Sequence, residues 1–166
     1  MARQLWLLRH AEAEAHGTRR DSERRLTERG EHQARAAGIA LARIGPKFDA
    51  ILFSPKVRAR DTAELAAEAW SAQQRKRLRE CPALAGGFDA EQALEALTSV
   101  AADGSLLLVG HEPDLSRVAG DLAGGRLDLK KGGVAALRLE GSGGELLVLM
   151  RPRELALIAG VPAGGD

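Results

Sequence analysis

Residues 4–10, QLWLLRH, decide the fold. Leu5 to Leu8 form a short apolar run without polar alternation that stops at charge, the mark of a strand buried on both faces. The strand would end near His10. Residues 105–111, SLLLVGH, repeat the pattern and also end on a histidine, His111. Residues 48–55, FDAILFSP, give a third buried strand ending at Ser54-Pro55. A strand covered on both faces needs a layer of helices on each side.

The intervening segments supply those helices. Thr27 is placed as an N-cap, and Ala34, Ala37, Leu41 and Ile44 recur at helical steps until Gly45-Pro46. Val57 to Trp70 carries Ala59, Ala63, Ala66 and Trp70 at the same spacing. Ala90, Ala93, Leu94, Leu97 and Ala101 form another stripe, and a further helix starts around Pro113, runs through Leu115, Val118, Ala119 and Leu122, and stops at Gly124-Gly125. Lys76 to Cys81 is a weak strand with only Leu78 and Cys81 apolar. VAALRLE alternates and passes through a glycine turn, residues 141–144, into ELLVLMR, a hairpin at a sheet edge. Residues 11–29 read as a long, exposed, arginine-rich loop. The expectation is an α/β three-layer α/β/α sandwich, mostly parallel with an antiparallel edge hairpin, in one domain over 1–162 with a flexible tail at 163–166.

Composition narrows the function. With 166 residues and 45% hydrophobic content the chain supports one core, and 24 basic against 23 acidic side chains leave no global field for nucleic acid or membranes. There is no tyrosine and only 3% aromatic content, so the clusters Arg19-Arg20, Arg24-Arg25 and Arg75 to Arg79 read as solvated faces, suited at most to an acidic partner protein, rather than an RNA surface. A single cysteine, Cys81, forms no intramolecular disulfide and fits a reducing compartment, and the opening apolar run is too short for a signal core or a membrane span. A cytoplasmic protein is expected.

In open α/β sheets, ligands bind beyond the carboxyl ends of the strands. Arg9-His10, the segment Ser54 to Arg58, and His111 all follow buried strands, so two arginines and two histidines converge on one edge of an otherwise neutral chain. Arginine forks match the oxygens of a compact dianion, and phosphate is the natural one. A neutral imidazole could attack phosphorus while the arginines offset the transition-state charge, with no metal or other cofactor required. The arginines would also lower the pKa of His10, moving the acid limb of activity below the usual value of about 6.5. A metal cluster built on Glu12, Glu14, His16 and His111 is disfavoured, because the loop lacks a helical brace and the arginines oppose a cation.

These residues lie in four stretches, LLRHAEAE (7–14), RRLTERGEHQA (24–34), ILFSPKVRARDTAE (51–64) and LLLVGHEPDLS (106–116), and in that order the chain resembles the histidine phosphatase superfamily of phosphoglycerate mutase-like fold. Specifically, it is similar to the short bacterial phosphohistidine phosphatase branch of the SixA type. The resemblance implies that His10 forms a phosphohistidine intermediate, that Arg9 and Arg58 bind the phosphoryl group, and that His111 contacts it from the opposite side. It also implies a phosphorylated protein as substrate. The usual Arg-His-Gly is Arg-His-Ala here, and Ala11 lacks glycine's access to positive φ. Many members place an acid after the third strand; Glu80 resembles it locally, and a solvated strand-end carboxylate is the competing reading. A phosphohistidine's ring nitrogen can be protonated from solvent, so a weak donor disfavours phosphomonoesters. The other readings are a small-molecule phosphomonoesterase or mutase, and a non-catalytic phosphate-binding or interaction module. Oligomeric state is not legible.

Overall fold

The computed structural model describes residues 2–162, and the tail expected at 163–166 lies outside the described residues. Strands β1 (Arg3–Arg9), β2 (Ala50–Phe53), β3 (Leu78–Glu80), β4 (Ser105–Gly110), β5 (Val134–Glu140) and β6 (Gly143–Met150) form a six-stranded sheet in the order β3-β2-β4-β1-β5-β6. β3, β2, β4 and β1 are parallel, whereas β5 pairs antiparallel with β1 and β6 antiparallel with β5. This is the expected α/β sheet with an edge hairpin.

β1 shows why its sequence has no polar alternation. Trp6 and Leu8 pack into one apolar cluster with residues of α1 (Glu28–Ile44), α2 (Val57–Ala67) and α6 (Pro152–Ala159). Leu5 and Leu7 enter a second cluster with α4 (Ala90–Leu97) and α5 (Asp114–Ala123). Helices therefore cover both faces. A short α3 (Ala72–Arg75) connects α2 to β3.

Thr27 caps α1 as expected, its hydroxyl accepting from the Gly30 N–H at 3.0 Å, and Gly45 ends the helix at φ 99°. Gly38 lets α1 and α2 meet backbone to backbone: a Cβ there would lie 2.0 Å from the Ala66 carbonyl oxygen. That approach seats α2, whose first turn carries Arg58.

Several boundaries differ from expectation. α2 ends at Ala67, with Trp70 packing into the core from the turn that follows, and α4 ends at Leu97, leaving Ala101, the last member of its expected stripe, exposed outside the helix. Pro113 is the N-cap of α5, preceded by a cis peptide bond, so Asp114 is the first helical residue. α6 is absent from the sequence expectation: only Leu155, Ala156 and Ala159 are fully buried, with Ile158 packed beside them, in a helix of eight residues. Residues 11–29 are less exposed than their composition suggests, since Ala11, Arg24 and Leu26 are buried, Ala13 bridges Leu26, and residues Asp21–Glu23 form a 3-10 turn. Among the described residues no helix is long and apolar enough to cross a membrane.

Candidate active site

Strand register brings the four predicted residues together. Arg9 aligns with Gly110 across β1 and β4, and Phe53 with Val109 across β2 and β4, so His10, Ser54 and His111 leave three neighbouring strands at one level. The rings of His10 and His111 lie 5.2 Å apart, centroid to centroid. His10, Arg58 and His111 are only 6%, 5% and 7% exposed, although each is a polar side chain at a sheet edge.

Hydrogen bonds fix the state of each histidine. His10 Nδ1 lies 2.8 Å from the Ala11 carbonyl oxygen, which can only accept, so Nδ1 carries the proton and Nε2 keeps its lone pair. Burial is the main force lowering the His10 pKa to about 3, with the nearby His111, Arg58 and Arg9 adding to it. The expected direction is found, but its chief cause is exclusion of water rather than the arginines. His111 Nε2 lies 2.7 Å from Ser54 Oγ, and that hydroxyl already accepts from the Lys56 N–H at 3.2 Å. No other described hydrogen bond offers the buried Ser54 hydroxyl proton an acceptor, so that proton is assigned to Nε2 and the proton of neutral His111 to Nδ1. Burial first, then Arg58 and Lys56, pulls the His111 pKa down to about 3 as well.

Three buried side-chain polar atoms lack any partner among the described residues: Arg9 Nε, Arg58 Nε and His111 Nδ1. All belong to the predicted pocket, and all are donors. Buried donors left unpaired are costly and rare, and these three all fall on residues predicted to bind phosphate.

Side chains around the pocket hold it in shape. The Ala11 N–H donates to Thr62 Oγ1 at 3.0 Å, and the Thr62 hydroxyl donates to the Arg58 carbonyl at 2.7 Å, locking the turn after His10 onto α2. No described residue other than glycine has positive φ, so this turn does not need the glycine that Ala11 replaces. Arg9 Nη1 donates to the Leu129 carbonyl at 3.0 Å. Thr62 stands four residues after Arg58 in RARDTAE, a helical step that would have marked it as Arg58's neighbour in the sequence.

Asp21 is the site residue that sequence reasoning missed. Arg58 Nη1 donates to its carbonyl at 2.7 Å, and its carboxylate receives Lys56 Nζ and Arg24 Nε, both at 3.1 Å. Partial burial works against ionisation, but these bonds and the charge of Arg58 outweigh it and hold the carboxyl well below its ordinary range. The carboxylate thus offsets positive charge beside the pocket. Replacing Asp21 with Asn is expected to tighten inhibition by inorganic phosphate about three-fold, a modest effect because the side chain is half exposed. Weaker inhibition would show instead that Asp21 is needed to hold Arg58 in place.

Glu80 is exposed at the end of β3, with β2 between it and β4, and no described hydrogen bond or ion pair joins it to the pocket. Glu12 and Glu14 are bonded to Arg29 and Arg19, and no group of three or more His, Cys, Asp or Glu among the described residues is placed to hold a metal ion.

The chain is similar to known proteins along most of its length. Residues 5–86 match the Histidine phosphatase superfamily (branch 1). An uncharacterized protein of Picosynechococcus sp. is 34% identical over 146 residues, covering 81% of this chain and 84% of that protein. The solved protein histidine phosphatase SixA, complexed with tungstate, superposes with a TM-score of 0.78 at 25% identity, over 92% of this chain and 99% of the other. A provisionally assigned SixA phosphohistidine phosphatase from Nakamurella multipartitia gives 0.76 at 27%, over 92% and 97%. The fold alone is shared with an alpha-ribazole phosphatase from Shigella flexneri, with a TM-score of 0.71 at 21% identity over 90% and 96%. The chain belongs to the histidine phosphatase superfamily, and its likeness is to the phosphatases of the SixA type.

Proposed function

We propose that the protein removes phosphate from phosphohistidine in another protein, through a covalent intermediate on His10. The observation that carries this reading is the set of three buried unpaired donors, on Arg9, Arg58 and His111, around a histidine whose Nε2 is free. A phosphoryl group bound beside His10 would supply acceptors for these donors. His10 Nε2 attacks phosphorus, a new N–P bond forms, and the N–P bond to the substrate imidazole breaks. The departing imidazole takes its proton from solvent. Water then attacks phospho-His10, giving inorganic phosphate and restoring the neutral ring. Arg9 and Arg58 carry the charge of the equatorial oxygens, so the proposed steps use no metal.

The choice of substrate rests on the leaving group. Glu80 is exposed and unconnected to the pocket, which suits a leaving imidazole better than an alkoxide. The test is to compare kcat/KM on a protein phosphorylated at histidine with that on sugar phosphates. The phosphoprotein is expected to be turned over at least about ten-fold more efficiently; faster cleavage of sugar phosphates would leave the His10 chemistry intact and overturn the substrate assignment.

A neutral His10 is required throughout, and this has a direct readout. With its pKa at about 3, the ring should remain neutral, protonated on Nδ1 only, in imidazole nitrogen NMR spectra at about pH 5. Half-protonation near the ordinary value of about 6.5, or a proton on Nε2, would contradict the buried nucleophile.

A further inference from the structure

The sheet edge that carries His10 continues into a basic groove. A cavity of about 480 Å³ is lined by Arg9 and lies between the N-terminal portions of α1 and α6. Arg29, Lys130, Lys131, Arg151 and Arg153 line it, against a single lining carboxylate, Glu12, which Arg29 already holds at 3.1 Å. In a chain of net charge +1 this is a local concentration of positive charge. Lys130 and Arg151 have carboxylate partners in Asp128 and Glu154. Lys131 and Arg153 are exposed and make no hydrogen bond or ion pair with other described residues.

The groove is fixed to the nucleophile by its backbone. The Gly132 N–H donates to the carbonyls of both Arg9, at 3.1 Å, and His10, at 3.0 Å, and the Arg9 N–H donates to the Gly133 carbonyl at 3.1 Å. Gly132 takes φ 74° there, and Gln33 of α1 packs against it while accepting from the Glu12 N–H at 3.0 Å. Lys131 therefore stands one residue from a turn bonded to His10 itself. Anything held by Lys131 and Arg153 is held at a set position relative to the phosphoryl pocket.

The lining also selects a class of ligand. Ala36, Pro152 and Ala156 give it an apolar floor, and its only aromatic ring is the imidazole of His32, with no Phe, Tyr or Trp to stack a nucleobase. A polypeptide with carboxylate side chains meets both features, its chain over the floor and its charges on the cations. Resting on the phosphoprotein reading above, we propose that this groove binds an acidic segment of the phosphoprotein substrate, with carboxylates on Lys131 and Arg153.

The test uses two histidine-phosphorylated peptides of equal length, one with glutamates and one with glutamines around the phosphohistidine, and phosphoramidate as a donor too small to reach the groove. Native enzyme is expected to prefer the glutamate peptide by about ten-fold in kcat/KM at low salt, with the preference shrinking as salt rises. The double variant Lys131→Glu and Arg153→Glu is expected to lose that preference while hydrolysing phosphoramidate within about two-fold of native. Equal use of both peptides by native enzyme would overturn the groove assignment and leave the phosphohistidine reading standing. Hydrolysis of phosphoramidate with neither peptide cleaved would overturn both. If tripolyphosphate bound through Lys131 and Arg153 while the peptides were used equally, the groove would belong to a small polyanion and the proposal would fall.

Discussion

Replacing His10 with alanine is expected to lower turnover about 10^5-fold, the scale found when a covalent catalyst loses its nucleophile. The double displacement has no other route here. His111, the next imidazole, has its Nε2 occupied by the Ser54 hydroxyl and its proton on Nδ1, so it presents a donor rather than a lone pair. What remains in the variant is a pocket that still binds phosphate through Arg9, Arg58 and His111. Inorganic phosphate should therefore bind the His10→Ala protein with affinity close to native, even as kcat collapses. Removal of a buried imidazole leaves a small void at the sheet edge, and an unchanged circular dichroism spectrum will show that the loss is chemical. Activity within ten-fold of native would exclude His10 as the nucleophile.

The second large effect is expected at Arg58. Its guanidinium is buried, two of its nitrogens are held by Asp21, and its Nε has no partner. Loss of one preorganised donor to transition-state charge typically costs 10²- to 10³-fold, and Arg58→Ala is expected near about 10³ in kcat/KM. Arg58→Lys should recover little. A lysine keeps the charge but not the planar fork that reaches Asp21 and the pocket together. If lysine restored activity to within about five-fold, simple charge rather than directed donors would be what the pocket supplies.

The features legible in the sequence are those set by burial and by register. β1 and β4 were readable because strands covered on both faces need unbroken apolar runs, and His10 and His111 were readable because they end those runs. Other features depend on how distant segments fold against one another. Asp21 lies in a polar stretch without periodicity, and only the 3-10 turn over Asp21–Glu23 delivers it to Arg58. The low pKa of His10 was readable in direction from the neighbouring arginines, but its main cause is exclusion of water, which a list of charges does not reveal. α6 escaped because two turns of helix with three fully buried positions give too little pattern, and with it escaped the far wall of the basic groove.

The joint reading is of a pocket whose polar groups are arranged before any ligand arrives. The Ala11 carbonyl sets the tautomer of His10, the Ser54 hydroxyl sets that of His111, and Thr62 ties the turn after His10 to the helix that carries Arg58. Preorganisation of this kind lets charge develop on a phosphoryl group without rearranging the surrounding dipoles.

The most direct measurement is to quench native enzyme during turnover of a histidine-phosphorylated protein, digest it under alkaline conditions, and locate the phosphate by mass spectrometry. One phosphoryl group on His10, released by mild acid and absent from the His10→Ala variant, is the predicted result. Phosphate on another residue, or turnover with no phosphoenzyme under conditions that preserve phosphohistidine, would contradict it.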